Sequence, residues 1–232
     1  MAEIGQSAGK SFAYIVGVYL GDGCVTKSGG RPVFRLGTID ADFAQTVKAT
    51  LTDMNARWVS LTCHAVKKSS KPNHSLAARH DDLCRRLVEI TEGKKRLPDG
   101  IDDWPREDKI AFIAGLMDSE GFVGEQRGRA NRKRHYMGYK SCDPWVPHFI
   151  RILESVGGRI GRIGIEEPLK PWYKTPQRFT IKMQSWIDAG CYFNIQRKQE
   201  RVKIWAAMPP RDRRAEWAAR RLTSETLRQT PA

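Results

Sequence analysis

The sequence predicts an α+β fold built from two halves with the same element order, a pseudo-twofold duplication of an αββαββα unit. Three observations lead there. A short motif recurs at a fixed offset, the same succession of apolar patterns follows each copy, and a turn-rich segment separates the two. In 232 residues there is room for two such halves, and 40% hydrophobic and 9% aromatic residues suffice for a buried core.

The repeated motif comes first in each half. FAYIVGVYLGDGCV runs from Phe12 to Val25, and IAFIAGLMDSEGFVG from Ile110 to Gly124. Gly17 aligns with Gly115, Asp22 with Glu120 and Gly23 with Gly121, at an offset of 98 residues. Such self-similarity marks a duplicated architecture. Read as helices, the copies carry small residues four apart: Ala13, Gly17 and Gly21 in one, Ala111, Gly115 and Ser119 in the other. A stripe of small residues lets two helix backbones approach closely. Ile15, Val18 and Tyr19, with Phe112, Ile113 and Leu116, then face each half's own core. Gly23 and Gly121 are expected to take the left-handed conformation just past a helix end.

A polar stretch with strand character and a second helix follow each motif. These helices are DADFAQTVKATLTDMNA and DPWVPHFIRILESVGG, with Asp40 and Asp143 as start signals. Phe43, Val47 and Leu51, and Trp145, Phe149 and Leu153, recur at helical spacing. Two strand-like runs come next, WVSLTCHAVKK and HSLAARH in the first half, RIGRIGIEE and QRFTIKMQ in the second. Each half closes on an apolar helix, DDLCRRLVEI or SWIDAGCYF, and then a basic pair, Lys94-Lys95 or Arg197-Lys198. Pro98, Gly100 and Pro105 break the segment between the halves. The expected division is 1–97, a linker at 98–106, 107–208, and a basic tail at 209–232.

Charge narrows the partner. Lys and Arg number 40 against 26 Asp and Glu, a net +14 that points to a polyanion. The five cysteines are scattered, none in a CxxC pair, so neither a zinc ribbon nor a disulfide framework is expected and a reducing intracellular compartment fits. No apolar run is long enough to span a bilayer, and MAEIGQSAGK has no signal-peptide pattern.

The acids aligned by the repeat stand in an electrostatically poor place. A helix C-terminus is partly negative, worth about 0.3–1 kcal/mol against a carboxylate, and two such carboxylates repel each other. A cation should compensate, and all-oxygen ligation suits a hard divalent ion such as Mg²⁺.

The segments IVGVYLGDG (Ile15 to Gly23) and IAGLMDSEG (Ile113 to Gly121) resemble the paired LAGLIDADG motifs of monomeric homing endonucleases. The resemblance covers both motifs and, more loosely, the element order to about Trp205. It implies two curved antiparallel sheets forming a saddle over double-stranded DNA, with the motif helices packed at the interface. It makes Asp22 and Glu120 the catalytic, metal-binding acids, with Gly21 and Ser119 offering backbone carbonyls. Mg²⁺ is the implied cofactor, with Mn²⁺ as an alternative and Ca²⁺ supporting binding without cleavage. Lys95 and Lys198 match by position the basic residue that approaches the cleavage site, with Lys94 and Arg197 beside them. The sixth motif position departs, Leu20 in one copy and Asp118 in the other. The implied reaction is phosphodiester hydrolysis by a monomer, giving a double-strand break with short 3′ overhangs.

Strand alternation nominates the contacts to DNA. In VFRLG, Phe34 and Leu36 point to the core and Arg35 to DNA. In RFTIKMQ, Phe179, Ile181 and Met183 alternate with Arg178, Lys182 and Gln184. Arg127, Arg129, Arg132, Lys133, Arg134 and Lys140 form a basic hairpin, and Arg31, Lys67, Lys68, Arg79 and Lys174 extend the set. Arg and Gln can read base edges, whereas Lys more often meets phosphate. The alternative is a binder on the same scaffold that does not cut, an RNA-splicing maturase or a transcription regulator. A carboxylate-pair glycosidase would use the acids too, but a charge of +14 speaks against it. An intein is disfavoured because the chain lacks an initial splicing Cys or Ser and a terminal His-Asn.

Overall fold

The structure is a computed structural model that describes residues 9–65, 72–94, 96–127, 133–165 and 176–208, without the side chains of residues 126, 127 and 133. The first half runs α1 (Lys10–Leu20), β1 (Gly23–Ser28), β2 (Arg31–Thr38), α2 (Ala41–Asp53), β3 (Trp58–His64), β4 (Asn73–Arg79) and α3 (Asp81–Ile90). The second begins α4 (Arg106–Ser119), β5 (Gly121–Arg127), β6 (Lys133–Ser141) and α5 (Val146–Ser155). It continues with β7 (Ile160–Ile165), β8 (Gln177–Ile181) and α6 (Met183–Asp188), then adds α7 (Gln196–Ala206). Each half forms one four-stranded antiparallel sheet, ordered β1-β2-β4-β3 and β5-β6-β8-β7. The predicted succession is present in both halves; α7 is the addition.

The two motif helices lie at the centre. Every residue of α1 from Phe12 to Leu20 is buried, and so is every residue of α4 from Ile110 to Asp118. A helix apolar on all sides has to be covered on all sides. The small-residue stripe makes the central contact: a Cβ on Gly17 would lie 2.2 Å from the Phe112 carbonyl oxygen, and one on Gly115 2.2 Å from that of Tyr14. No side chain fits there, so backbone meets backbone. One continuous apolar core surrounds the pair and reaches both sheets.

Periodicity set the other elements. Phe34 and Leu36 are buried beneath β2 while Arg35 is exposed, and Phe179 and Ile181 are buried beneath β8. Phe43, Val47 and Leu51 bury one face of α2, and Val146, Phe149, Ile152 and Leu153 one face of α5.

Three expectations are corrected. Gly23 and Gly121 are not left-handed; they open β1 and β5. Glycine is required there because the strand folds back onto the helix: a Cβ on Gly121 would meet the Met117 carbonyl oxygen at 2.3 Å, and one on Gly23 the Tyr19 Cα at 2.9 Å. The alternation assigned to Lys182, Met183 and Gln184 stops at Ile181. Met183 starts α6, Lys182 precedes it, and Gln184 donates to Asp188 one turn on at 2.8 Å. Asp143 does not cap its helix either, since α5 begins at Val146 with Trp145 at the N-cap.

Candidate active site

Glu120 follows directly on the end of α4, and Asp22 follows the end of α1 after Gly21. The packing that joins the helices also brings these ends together, for a Cβ on Gly21 would fall 2.3 Å from the Ser119 Cβ and 3.4 Å from the Glu120 Cγ. Both carboxylates are exposed, and among the described residues neither accepts a hydrogen bond or an ion pair. Burial of their surroundings pushes both acids above the ordinary carboxylate range, and for Glu120 the neighbouring charges of Asp22 and Asp143 push the same way. Lys198 and Lys94 offset this in part at each acid.

Part of the positive charge called for by the helix ends comes from two lysines of the chain. Lys198, 6% exposed, donates from Nζ to the carbonyl oxygens of Met117 (3.2 Å), Asp118 (2.9 Å) and Gly121 (2.7 Å). Lys94 donates from Nζ to the Gly21 carbonyl oxygen at 2.7 Å. An ammonium on unsatisfied carbonyls at a helix C-terminus meets both their hydrogen-bonding need and the dipole. Burial pulls both lysines below the usual lysine range, and nearby acids pull them back up. Lys95 lies outside the described residues. Arg197 is turned away to Asp40, donating from Nε and Nη2 to its carboxylate.

The predicted DNA contacts divide by sheet face. Partners across a strand pair share a face, so Arg31, Arg35 and Arg79 lie on the side of the first sheet opposite Phe34 and Leu36. Arg134, Lys140 and Arg178 lie on the corresponding side of the second. Arg35 donates from Nε to the Thr26 Oγ1 at 2.9 Å, and Arg178 lies over the rings of Phe122 (4.7 Å) and Tyr136 (5.2 Å). Arg127 and Lys133 pair through their backbones at the loop end of the β5–β6 hairpin. Lys67, Lys68, Arg129, Arg132 and Lys174 lie outside the described residues. Sequence reading passed over Arg162, which shares a concavity of ≈ 460 Å³ with Arg134, Tyr136 and Arg178. Simple alternation puts Arg162 on the face of Ile160, and the register shift between Ile160 and Ile163 that breaks the alternation left no mark in the sequence.

No protein-family profile and no curated protein sequence matches the chain. Solved structures do. The homing endonuclease I-WcaI bound to its DNA recognition sequence superposes with a TM-score of 0.55 at 12% identity, covering 85% of this chain and 88% of that one. Full-length WhiA from Thermatoga maritima gives 0.53 at 10% identity, covering 93% and 67%. A variant of I-DmoI with its target DNA in the presence of manganese gives 0.51 at 14%, covering 80% and 96%. The chain has a LAGLIDADG-type fold. In this chain the two motif helices pack on each other at the centre of the fold, with Asp22 and Glu120 at their ends. Among the described residues, no helix is long and apolar enough to cross a membrane.

Proposed function

We propose that the chain is a monomeric, site-specific DNA endonuclease that makes a double-strand break with short 3′ overhangs by divalent-metal-dependent phosphodiester hydrolysis, and that it serves intron homing. One observation carries this reading: two exposed carboxylates from opposite halves meet where the motif helices end. Support comes from the basic side chains on one face of each sheet, and from the DNA in the I-WcaI and I-DmoI complexes of the same fold.

The site fits a hard divalent cation. Its donors are oxygens, and two acids raised by burial, Glu120 also by the charge of Asp22, gain from a nearby double charge. Asp22 and Glu120 would hold the ion, with the carbonyls of Ser119 and Gly21 as further oxygen donors, the second of which now accepts from Lys94; Mg²⁺ is the first choice and Mn²⁺ the second, Ca²⁺ supporting binding alone. A cation bound there supplies an activated water and neutralises the leaving oxygen. Lys198, whose ammonium protons go to three carbonyl oxygens, acts through space on charge developing at the phosphate, and Lys94 or Lys95 does so in the first half. Arg31, Arg35, Arg79, Arg134, Lys140 and Arg178 hold the duplex, with Arg127, Lys133 and the residues beyond the described segments extending the track.

A second reading, a binder that does not cut, draws on the Gly21 carbonyl being engaged by Lys94. The test separates the two. The purified protein is incubated with a randomised duplex library and Mg²⁺ or Mn²⁺, and the new ends are sequenced. The expected outcome is one recurring site cut in both strands, with Asp22→Asn and Glu120→Gln binding that site but leaving it whole. Binding without cleavage by the unmodified protein establishes the second reading, and cleavage by either variant removes the acids from the mechanism.

A further inference from the structure

Helix α7 begins without a cap of its own. Its N-cap residue is Ile195, whose side chain can accept nothing, although the first turn of a helix leaves backbone N–H groups in need of acceptors. The acceptors come from two distant helices. Asp118, in the last turn of α4, accepts from Asn194 N (3.0 and 3.2 Å) and Ile195 N (3.2 Å). Asp42, in the first turn of α2, accepts from Gln196 N at 2.7 Å. Beside it, Arg197 donates to Asp40 from Nε at 3.0 Å and from Nη2 at 2.6 and 2.8 Å, a forked contact on both carboxylate oxygens.

Helix α2 belongs to the first half, and α4 and α7 to the second. The start of α7 is thus gripped from both halves, and the next residue along is Lys198. At the far end of the helix, Trp205 stacks on His135 of β6 with ring centroids 4.3 Å apart. Lys94 is held otherwise. It sits in a turn after α3 at φ +76°, its backbone N donating to the Thr91 Oγ1 of its own half at 3.2 Å.

We propose that Asp40 and Asp42 are positioning residues for Lys198, fixing the start of α7 from the opposite half and so setting the Lys198 ammonium against the ends of the motif helices. An ion pair with Arg197 46% exposed adds little to folding, so the effect falls on placement rather than on stability. Because Lys94 has no such latch, the effect falls on one lysine of the two. The consequence for cleavage rests on the endonuclease reading; the consequence for Lys198 itself does not.

The test is therefore read first without DNA or metal. The full chain is treated with an amine-acetylating N-hydroxysuccinimide ester, and the labelling rates of Lys198 and Lys94 are followed by mass spectrometry. In Asp40→Asn and in the Asp40→Asn, Asp42→Asn double variant, Lys198 labelling is expected to rise about fivefold or more, as local opening of a protected site requires. Lys94 keeps its rate, and Arg197→Lys, which retains charge but loses the fork, falls between. An unchanged Lys198 rate overturns the proposal. So does a rise shared equally by Lys94, which reports loosening of the whole fold. On a cut site recovered from the library, the same variants are expected to slow one strand about tenfold and spare the other, because support for only one lysine has been removed. If the unmodified protein cuts nothing, the endonuclease reading fails while the labelling result stands on its own.

Discussion

The two halves share one plan, yet they finish their motif helices differently. At the position two before the acid, the first half has Leu20 in the apolar core, 4% exposed, and the second has Asp118, 2% exposed. Asp118 accepts from the Tyr14 hydroxyl across the interface at 3.1 Å, besides anchoring the start of α7. Burial and the adjoining Asp118 push the Tyr14 phenol up, which keeps it a donor. The lysines follow the same division, Lys94 half-buried on one carbonyl and Lys198 buried on three. The acids nevertheless occupy matching places. Helix packing through Gly17 and Gly115 locates them, so the polar support around each was free to diverge.

The largest expected effect separates the lysines. Lys198→Met and Lys94→Met should each lower cleavage about 100-fold or more, as loss of a charge-stabilising donor does. Their stability costs should differ. Lys198→Met removes a buried donor shared by three carbonyl oxygens and should cost about 2–3 kcal/mol in urea unfolding, against about 1 kcal/mol or less for Lys94→Met. Equal costs would mean that the two helix ends are supported alike.

A pH comparison isolates Asp118. Burial, outweighing the bonds from Ile195 and Asn194 and the nearby Lys198, raises its pKa from 3.8 to about 6. Between those values the folded chain holds a proton that the unfolded chain has released. The stability Asp118 contributes is therefore fully present below about pH 4 and lost as pH rises through about 6. Relative to Asp118→Asn, the unmodified protein should lose roughly 2–3 kcal/mol over that window, at about 1.4 kcal/mol per pKa unit. A flat difference between pH 4 and 7 would show that the bonds to α7 keep the carboxylate ionised.

Much of this was legible in the chain, and the limits have physical causes. Strand and helix order followed from periodicity because most elements bury one face. The acids and the small stripe stood out because they occur twice in register. Helix α7 was missed because QRKQERVKIWA places few apolar residues among many charges, and its hold on the fold comes from Asp42 and Asp118, 154 and 76 residues away in sequence. The basic pairs after each half looked equivalent, yet Lys94 lies in a turn and Arg197 and Lys198 lie inside a helix. Gly23 and Gly121 were recognised as obligatory for the wrong reason. A close approach of backbone to backbone leaves no mark in sequence that distinguishes it from a left-handed cap.

The smallest effect tests the part of the molecule where the halves agree. Gly17→Ala and Gly115→Ala each place a methyl group 2.2 Å from a carbonyl oxygen of the facing helix, so the helices must separate to admit it. Overpacking of this kind costs about 1–3 kcal/mol, and the matched geometry predicts the same cost for both within about 0.5 kcal/mol. Gly37→Ala serves as the control, because a Cβ there meets nothing within 4 Å. Separation at the stripe also displaces the helix ends, so both variants should slow cleavage of both strands together, unlike the lysine variants. Should Gly17→Ala prove much milder than Gly115→Ala, the first half would be the one that yields, and Leu20, with no anchor like that of Asp118, would be the reason.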